Sequence, residues 1–111
     1  MKLSELVATL GFTVVQDAYE DRELRGAYTS DLLSDVMANA EDADVLITIQ
    51  SHKNTVAVAT LVGVAAIIVC NDRPIPEDMV AAAKEETIGI FRSDRDQYHI
   101  SGEVFRLSQD R

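Results

Sequence analysis

The chain has 111 residues, enough for one domain and no more. Lys plus Arg number 10 against 19 Asp plus Glu, a net charge of -9; that field repels phosphate backbones and anionic lipid heads and argues against nucleic-acid and membrane-surface partners. It does not exclude a small anionic ligand, because backbone N–H groups at a helix start bind one locally.

The one cysteine, Cys70, allows no intramolecular disulfide and fits a reducing, cytoplasmic compartment. The first residues carry an acid early and lack a long apolar core, so they read as a helix and not as a signal peptide. No charge falls between Lys53 and Asp72, but Asn54, Thr55, Thr60 and Gly63 interrupt that stretch. It reads as a buried helix followed by a buried strand, not as a membrane span.

In chain order, Leu3, Leu6, Val7 and Leu10 mark one face of a short helix that Gly11 stops. Phe12 to Val15 is a β-prone run. Residues 16–25 are polar and charged and read as a solvated loop, or as a docking surface for a protein partner. Gly26 to Thr29 is a second short strand. Ser30 then caps a helix with Asp31 in its first turn, and Leu32, Leu33, Val36, Met37 and Ala40 trace its inner face.

Glu41 to Asp44 is a turn, and Val45 to Ile49 a strand. Asn54 caps a helix from Thr55 to Leu61, ended by Gly63; Ala65 to Cys70 is another apolar strand. After a turn at Asn71 to Pro74, Pro76 opens a helix with Met79, Val80 and Ala83 inward. Ile88 to Phe91 is a last strand, and Tyr98, Ile100, Gly102, Val104, Phe105 and Leu107 fit a closing helix.

Runs 45–49 and 65–70 are apolar at nearly every position, the mark of strands buried between two helical layers. Helices between such strands imply βαβ crossovers. The expected fold is three-layer α/β, with a mainly parallel sheet of about four or five strands and helices on both faces.

Two segments carry a family resemblance: Gly26-Ala27-Tyr28-Thr29-Ser30-Asp31-Leu32-Leu33-Ser34-Asp35-Val36-Met37, and the run from Ile47-Thr48-Ile49-Gln50-Ser51-His52 through Ala59. With the Pro-containing turn and the helix from Pro76, they resemble the stand-alone branch of the DRTGG domain family, which is similar to the N-terminal domain of HPr kinase/phosphorylase. The resemblance covers nearly the whole chain as a single domain, 1–111. It implies a MurF/HPr-kinase N-domain-like α/β fold, a regulatory role beside partners such as CBS domains, phosphotransacetylases or kinases, and a homodimer. The string Asp-Arg-Thr-Gly-Gly is absent, and Gly11, Gly26, Gly63, Gly89 and Gly102 are too dispersed for a phosphate-cradling GxxxxGK[ST] loop. No cofactor is implied.

Ligands of open α/β sheets bind beyond the carboxyl ends of the strands. Two loops leave such ends: Gln50-Ser51-His52-Lys53-Asn54, and Asn71-Asp72 with Arg73. In the first, Gln50 and Asn54 can read an amide or base edge, and Lys53 can neutralise a phosphate. The plainer explanation is a helix cap in a solvated loop. Ser30, Asp31, Ser34 and Asp35 form a second polar set; Asp31 and Asp35 share a helix face, suited to a cation or acid–base work, or merely an exposed acidic face.

His52 and Cys70 both follow buried strands and can form a nucleophilic pair, or a metal site with Asp72, although a lone cysteine is more simply a core residue. His99 reads as a surface or interface residue. The leading function is a non-catalytic ligand-sensing module for a nucleotide or small anion. The alternatives are a structural partner subunit of a larger complex and a small enzyme using His52 and Cys70.

Overall fold

Val45, Ile47, Ala66, Ile68 and Cys70 pack to one side of a sheet, and Leu46, Ile67 and Val69 to the other. Alternate residues of a strand face opposite sides, so strands apolar at every position demand cover on both. The computed structural model describes residues 1–109 and supplies that cover with ten elements. They are α1 (Leu3–Leu10), β1 (Thr13–Gln16), β2 (Ala27–Thr29), α2 (Leu33–Asn39), β3 (Val45–Thr48), α3 (Lys53–Val62), β4 (Ala66–Val69), α4 (Glu77–Glu86), β5 (Gly89–Arg92) and α5 (Gln97–Gln109).

The strands form one sheet in the order β1-β5-β4-β3-β2. From β2 to β5 the neighbours are parallel, with Ala27 beside Val45, Val45 beside Ala66 and Ala66 beside Gly89. β1 closes the far edge antiparallel, Thr13 opposite Arg92. The crossover helices α2, α3 and α4 all cover one face, through Val36, Val56, Ala59, Met79 and Ala83. α1 and α5 cover the other through Leu3, Leu6, Ile100, Val104 and Leu107. The expected three-layer, mainly parallel α/β architecture is therefore the observed one. The uncharged stretch after Lys53 is α3 followed by β4, and no helix among the described residues is long and apolar enough to cross a membrane.

Several local expectations are corrected. α2 begins at Leu33, not behind a Ser30 cap, because the Ser30 hydroxyl accepts from the Leu32 N–H at 3.2 Å and holds that segment in a turn. Asp31 thus precedes the helix and shares no helical face with Asp35. Val36 and Ala40 are buried, whereas Leu32 and Met37 are exposed, as are Tyr98 and Phe105 on α5. The residue before α3 is His52, and Asn54 lies inside the first turn and caps nothing. Val80 is only half-buried.

Segment 16–25 is not simply solvated. The Gln16 amide donates to the Ala18 and Ile88 carbonyls, both at 2.8 Å, and Leu24 is buried. The Tyr19 ring meets Phe91 edge-on at 5.2 Å. Asp44, placed in a turn by the sequence, is buried and accepts from the Arg25 and Gly26 backbone N–H groups at 2.9 and 3.2 Å. The Arg22 and Arg25 guanidiniums approach the same carboxylate at 3.5 and 3.4 Å. Alternation along the chain cannot report such contacts, since each joins positions far apart in sequence.

Gly89 makes room for this strap: a Cβ there would lie 3.0 Å from two Tyr19 ring atoms and 3.2 Å from Phe91. Gly89→Ala is expected to destabilise by about 1–3 kcal/mol through overpacking, lowering Tm by roughly 5–15 °C. In a Tyr19→Ala background the same change should cost much less. Equal losses in both backgrounds, read by thermal unfolding, would refute the contact.

Candidate functional site

With the sheet faces sealed, polar chemistry collects at the carboxyl ends of the parallel strands, where the exit loops split into two groups. In the first, the Asp31 carboxylate after β2 accepts from the Ile49 N–H at 3.1 Å, the Thr48 hydroxyl at 3.4 Å and the Gln97 amide at 3.2 Å. It therefore ties the ends of β2 and β3 to the start of α5. Asp35 faces elsewhere: it accepts from the Tyr28 hydroxyl at 2.8 Å and the Asn39 amide at 2.9 Å. Hydrogen bonds from Ser30, Tyr28 and Asn39 hold its carboxyl below the ordinary range. Ser34 is exposed.

The Gln50–Asn54 loop is partly structural. The Gln50 N–H donates to the Thr48 hydroxyl at 3.0 Å, and the Gln50 carbonyl accepts from the Thr55 hydroxyl at 3.0 Å. Ser51 donates to the Pro74 carbonyl at 2.6 Å, fixing this loop to the one before α4. Gln50 and His52 do come together, with His52 Nε2 3.1 Å from Gln50 Oε1. Lys53 and Asn54 are exposed. Among the cavities at the described surface, four measure 290 to 380 Å³; Lys53 borders one between α3 and α4, and Gln50, Ser51, His52 and Asn54 line none of these four.

The second group joins the loops after β4 and β5. The Asn71 N–H donates to the Arg95 carbonyl at 2.9 Å, and the Asp72 N–H to the Ser93 carbonyl at 2.8 Å. Asn71 and Asp72 both adopt left-handed backbone, φ 61° and 50°, a region Asn and Asp tolerate better than most residues. Asp72 faces Arg92, Oδ1 to Nε 3.4 Å. Asp96 caps α5, accepting from the His99 N–H at 2.9 Å and pairing with His99 Nδ1 at 2.7 Å. His99 is thus the surface residue expected.

Asn71 and Asp72 therefore belong with residues 93–95 and not with Gln50–Asn54. Sequence reasoning missed Arg92, Arg95 and Gln97. The signal was available, since the polar run Arg92-Ser93-Asp94-Arg95-Asp96-Gln97 leaves a strand just as the other two loops do.

His52 and Cys70 do not form a pair. Cys70 is fully buried among the side chains packed under α1 and α5, while His52 is exposed beside Gln50. Burial, reinforced by the charges of Asp96 and Asp31, pushes the thiol up to about 12. No group of three His, Cys, Asp or Glu residues able to hold a metal occurs among the described residues, so Asp72 completes no such set. Cys70 should react with a thiol reagent at pH 8 roughly a thousandfold more slowly than a free cysteine, in proportion to its thiolate fraction, and fully once denatured. Rapid native labelling would show an accessible thiolate and restore the enzymatic reading.

No family model matches the chain, and no curated protein does. A solved structure does: the CBS and DRTGG domains of the regulatory region of Clostridium perfringens pyrophosphatase, complexed with its activator diadenosine tetraphosphate. The TM-score is 0.74 at 15% identity, over 92% of this chain and 45% of that one. This chain therefore spans less than half of the matched structure. That likeness shows the fold alone, an α/β arrangement shared with part of that structure, and it carries no link to HPr kinase.

Proposed function

We propose that the chain is a regulatory, ligand-sensing module of the DRTGG type, taking a nucleotide or small anion at the carboxyl ends of its parallel strands. The observation that carries this reading is the sealed sheet with polar loops at one end. Nothing reactive can sit on faces buried as completely as those of β3 and β4, whereas the loops after β2 to β5 offer amides, hydroxyls and guanidiniums. The related fold in the pyrophosphatase structure belongs to a regulatory region complexed with a nucleotide activator, which supports the same role here. The kinship with the HPr-kinase N-terminal domain stays part of this proposal, as does a reducing, cytoplasmic setting for the single thiol.

A thermal-shift panel of diadenosine tetraphosphate, mononucleotides, inorganic phosphates and divalent metals tests it. A ligand at a hundred times its Kd adds about 2.7 kcal/mol, on the order of 10 °C in a domain of this size. A shift of that kind supports sensing, and a flat panel sinks it.

A second reading, a partner subunit or homodimer, is favoured by the open edge of β2. The Gly26 carbonyl and the Ser30 N–H bond toward β3, so the backbone groups of Ala27 and Thr29 face outward, where an edge strand can pair with another chain. Beside them runs a groove of about 380 Å³ lined by Ala27, Thr29, Ile47, Val104 and the exposed Phe105. For the homodimer, light scattering should report a dimer that Phe105→Asp converts to monomer; a monomeric parent chain refutes the homodimer.

A further inference from the structure

The loops after β4 and β5 leave the sheet in opposite directions. The first leads to α4, which covers one face, and the second to α5, which covers the other. Adjacent parallel strands whose connections diverge in this way open a crevice at their carboxyl ends, and that crevice is where open α/β sheets take ligands. The exits of β2, β3 and β4 all turn to the same side, so this chain has one such switch among its parallel strands, between β4 and β5. It lies one strand away from the Gln50–Asn54 loop.

A cavity of about 330 Å³ occupies this place, lined by Leu10, Gly11, Thr13, Asp72 and residues 92–95. Arg92 and Arg95 both line it. Their state contrasts with Arg22 and Arg25, whose charges converge on buried Asp44. Among the described residues the Arg95 guanidinium makes no hydrogen bond or close ion pair, although its charge acts on Asp96 and Glu103. The Arg92 Nε–H is buried without an acceptor, because Asp72 stands 3.4 Å away outside hydrogen-bond geometry. The other buried side-chain atom lacking a partner among the described residues is Gln97 Oε1. Both atoms flank the exit loop of β5. Buried polar groups are nearly always paired, and a buried guanidinium N–H without an acceptor, beside a second exposed arginine, suits an anionic acceptor.

We propose that this crevice binds a phosphate group of a small ligand, with Arg92 and Arg95 as its charged donors and Asp72 as the internal counter-ion that the phosphate displaces. The assignment rests on the ligand-sensing reading above and gives that reading its anion subsite. A guanidinium offers a planar fork suited to phosphate oxygens. Asp72 and Asp94 keep the unliganded crevice near neutral, so two arginines can converge there without mutual repulsion.

The test is a titration of the 111-residue, ¹⁵N-labelled chain with inorganic phosphate and pyrophosphate, followed by amide NMR. Saturable shifts should appear at Asn71, Asp72 and residues 92–95. Arg95→Ala, which removes an exposed side chain without a bonded partner, should fold normally and weaken binding by roughly tenfold or more, as expected for a charge-assisted contact. Arg95→Lys should keep part of the affinity, and Asp72→Asn should tighten binding several-fold. Shifts that never saturate, or that survive unchanged in Arg95→Ala, would overturn the site. Saturable shifts confined to residues 50–54 would also overturn it while leaving the sensing role standing. A flat thermal panel is the separate result that removes the sensing role itself.

Discussion

The complete burial of β3 and β4 on both faces is the constraint from which the rest follows. Val45 to Thr48 and Ala66 to Val69 are essentially inaccessible, so their side chains can do nothing but pack. Two helical layers are then obligatory, and every hydrogen-bonding group at the strand ends needs a partner. β2 is only three residues long and cannot hold its place through its ladder alone. Two carboxylates pin it. Asp44 at the amino end accepts from Arg25 and Gly26, and Asp31 at the carboxyl end reaches Thr48 on β3 and Ile49 just after it. The acidity of the chain is thus partly structural, with Asp44 matched by Arg22 and Arg25 at its side.

That division explains what was legible in the sequence. Apolar runs, glycine stops and Pro76 are local signals, and each element they mark exists. Gly11 and Gly63 end α1 and α3 in the left-handed conformation such stops require. The β1 edge was legible as a strand, but its antiparallel pairing was not, because pairing direction depends on where the chain returns. The misplaced starts of α2 and α3 share a cause. Ser30, Asp31 and Asn54 all have capping chemistry, but Ser30 makes a turn, Asp31 serves β3, and Asn54 stands free in the first turn. Propensity identifies residues able to cap; tertiary partners decide which of them do.

Less of the candidate site was legible, again for a physical reason. Gln50 to Asn54 stood out as polar residues between apolar elements, yet the Gln50 backbone is held by the Thr48 and Thr55 hydroxyls, and the Ser51 hydroxyl by the Pro74 carbonyl. His52 and Cys70 each follow one of two neighbouring strands, but alternation sends the thiol into the layer under α1 and α5. Sequence position gives the strand end; only the pleat and the side of the outgoing helix say what a residue there can reach. The role proposed for Arg92 and Arg95 depends on the second of these, the crossing of α5 to the face opposite α4.

A net charge of -9 does not decide whether an anion can bind. Charges farther apart than about 8 Å are largely screened at physiological ionic strength, so an incoming phosphate responds mainly to groups within the crevice. The chain's Asp and Glu excess instead governs encounters with extended polyanions, which meet many carboxylates at once. A small phosphate-bearing ligand at Arg92 and Arg95 and exclusion of nucleic acid are therefore compatible properties of one surface. Asp72 sharpens the distinction. Because it already faces Arg92, a ligand at the proposed site would have to outcompete a tethered carboxylate, which a phosphate, with its higher charge and three oxygens, is better suited to do than a lone carboxylate of equal charge. Such a site would favour phosphate over carboxylate metabolites by making displacement of Asp72 part of binding.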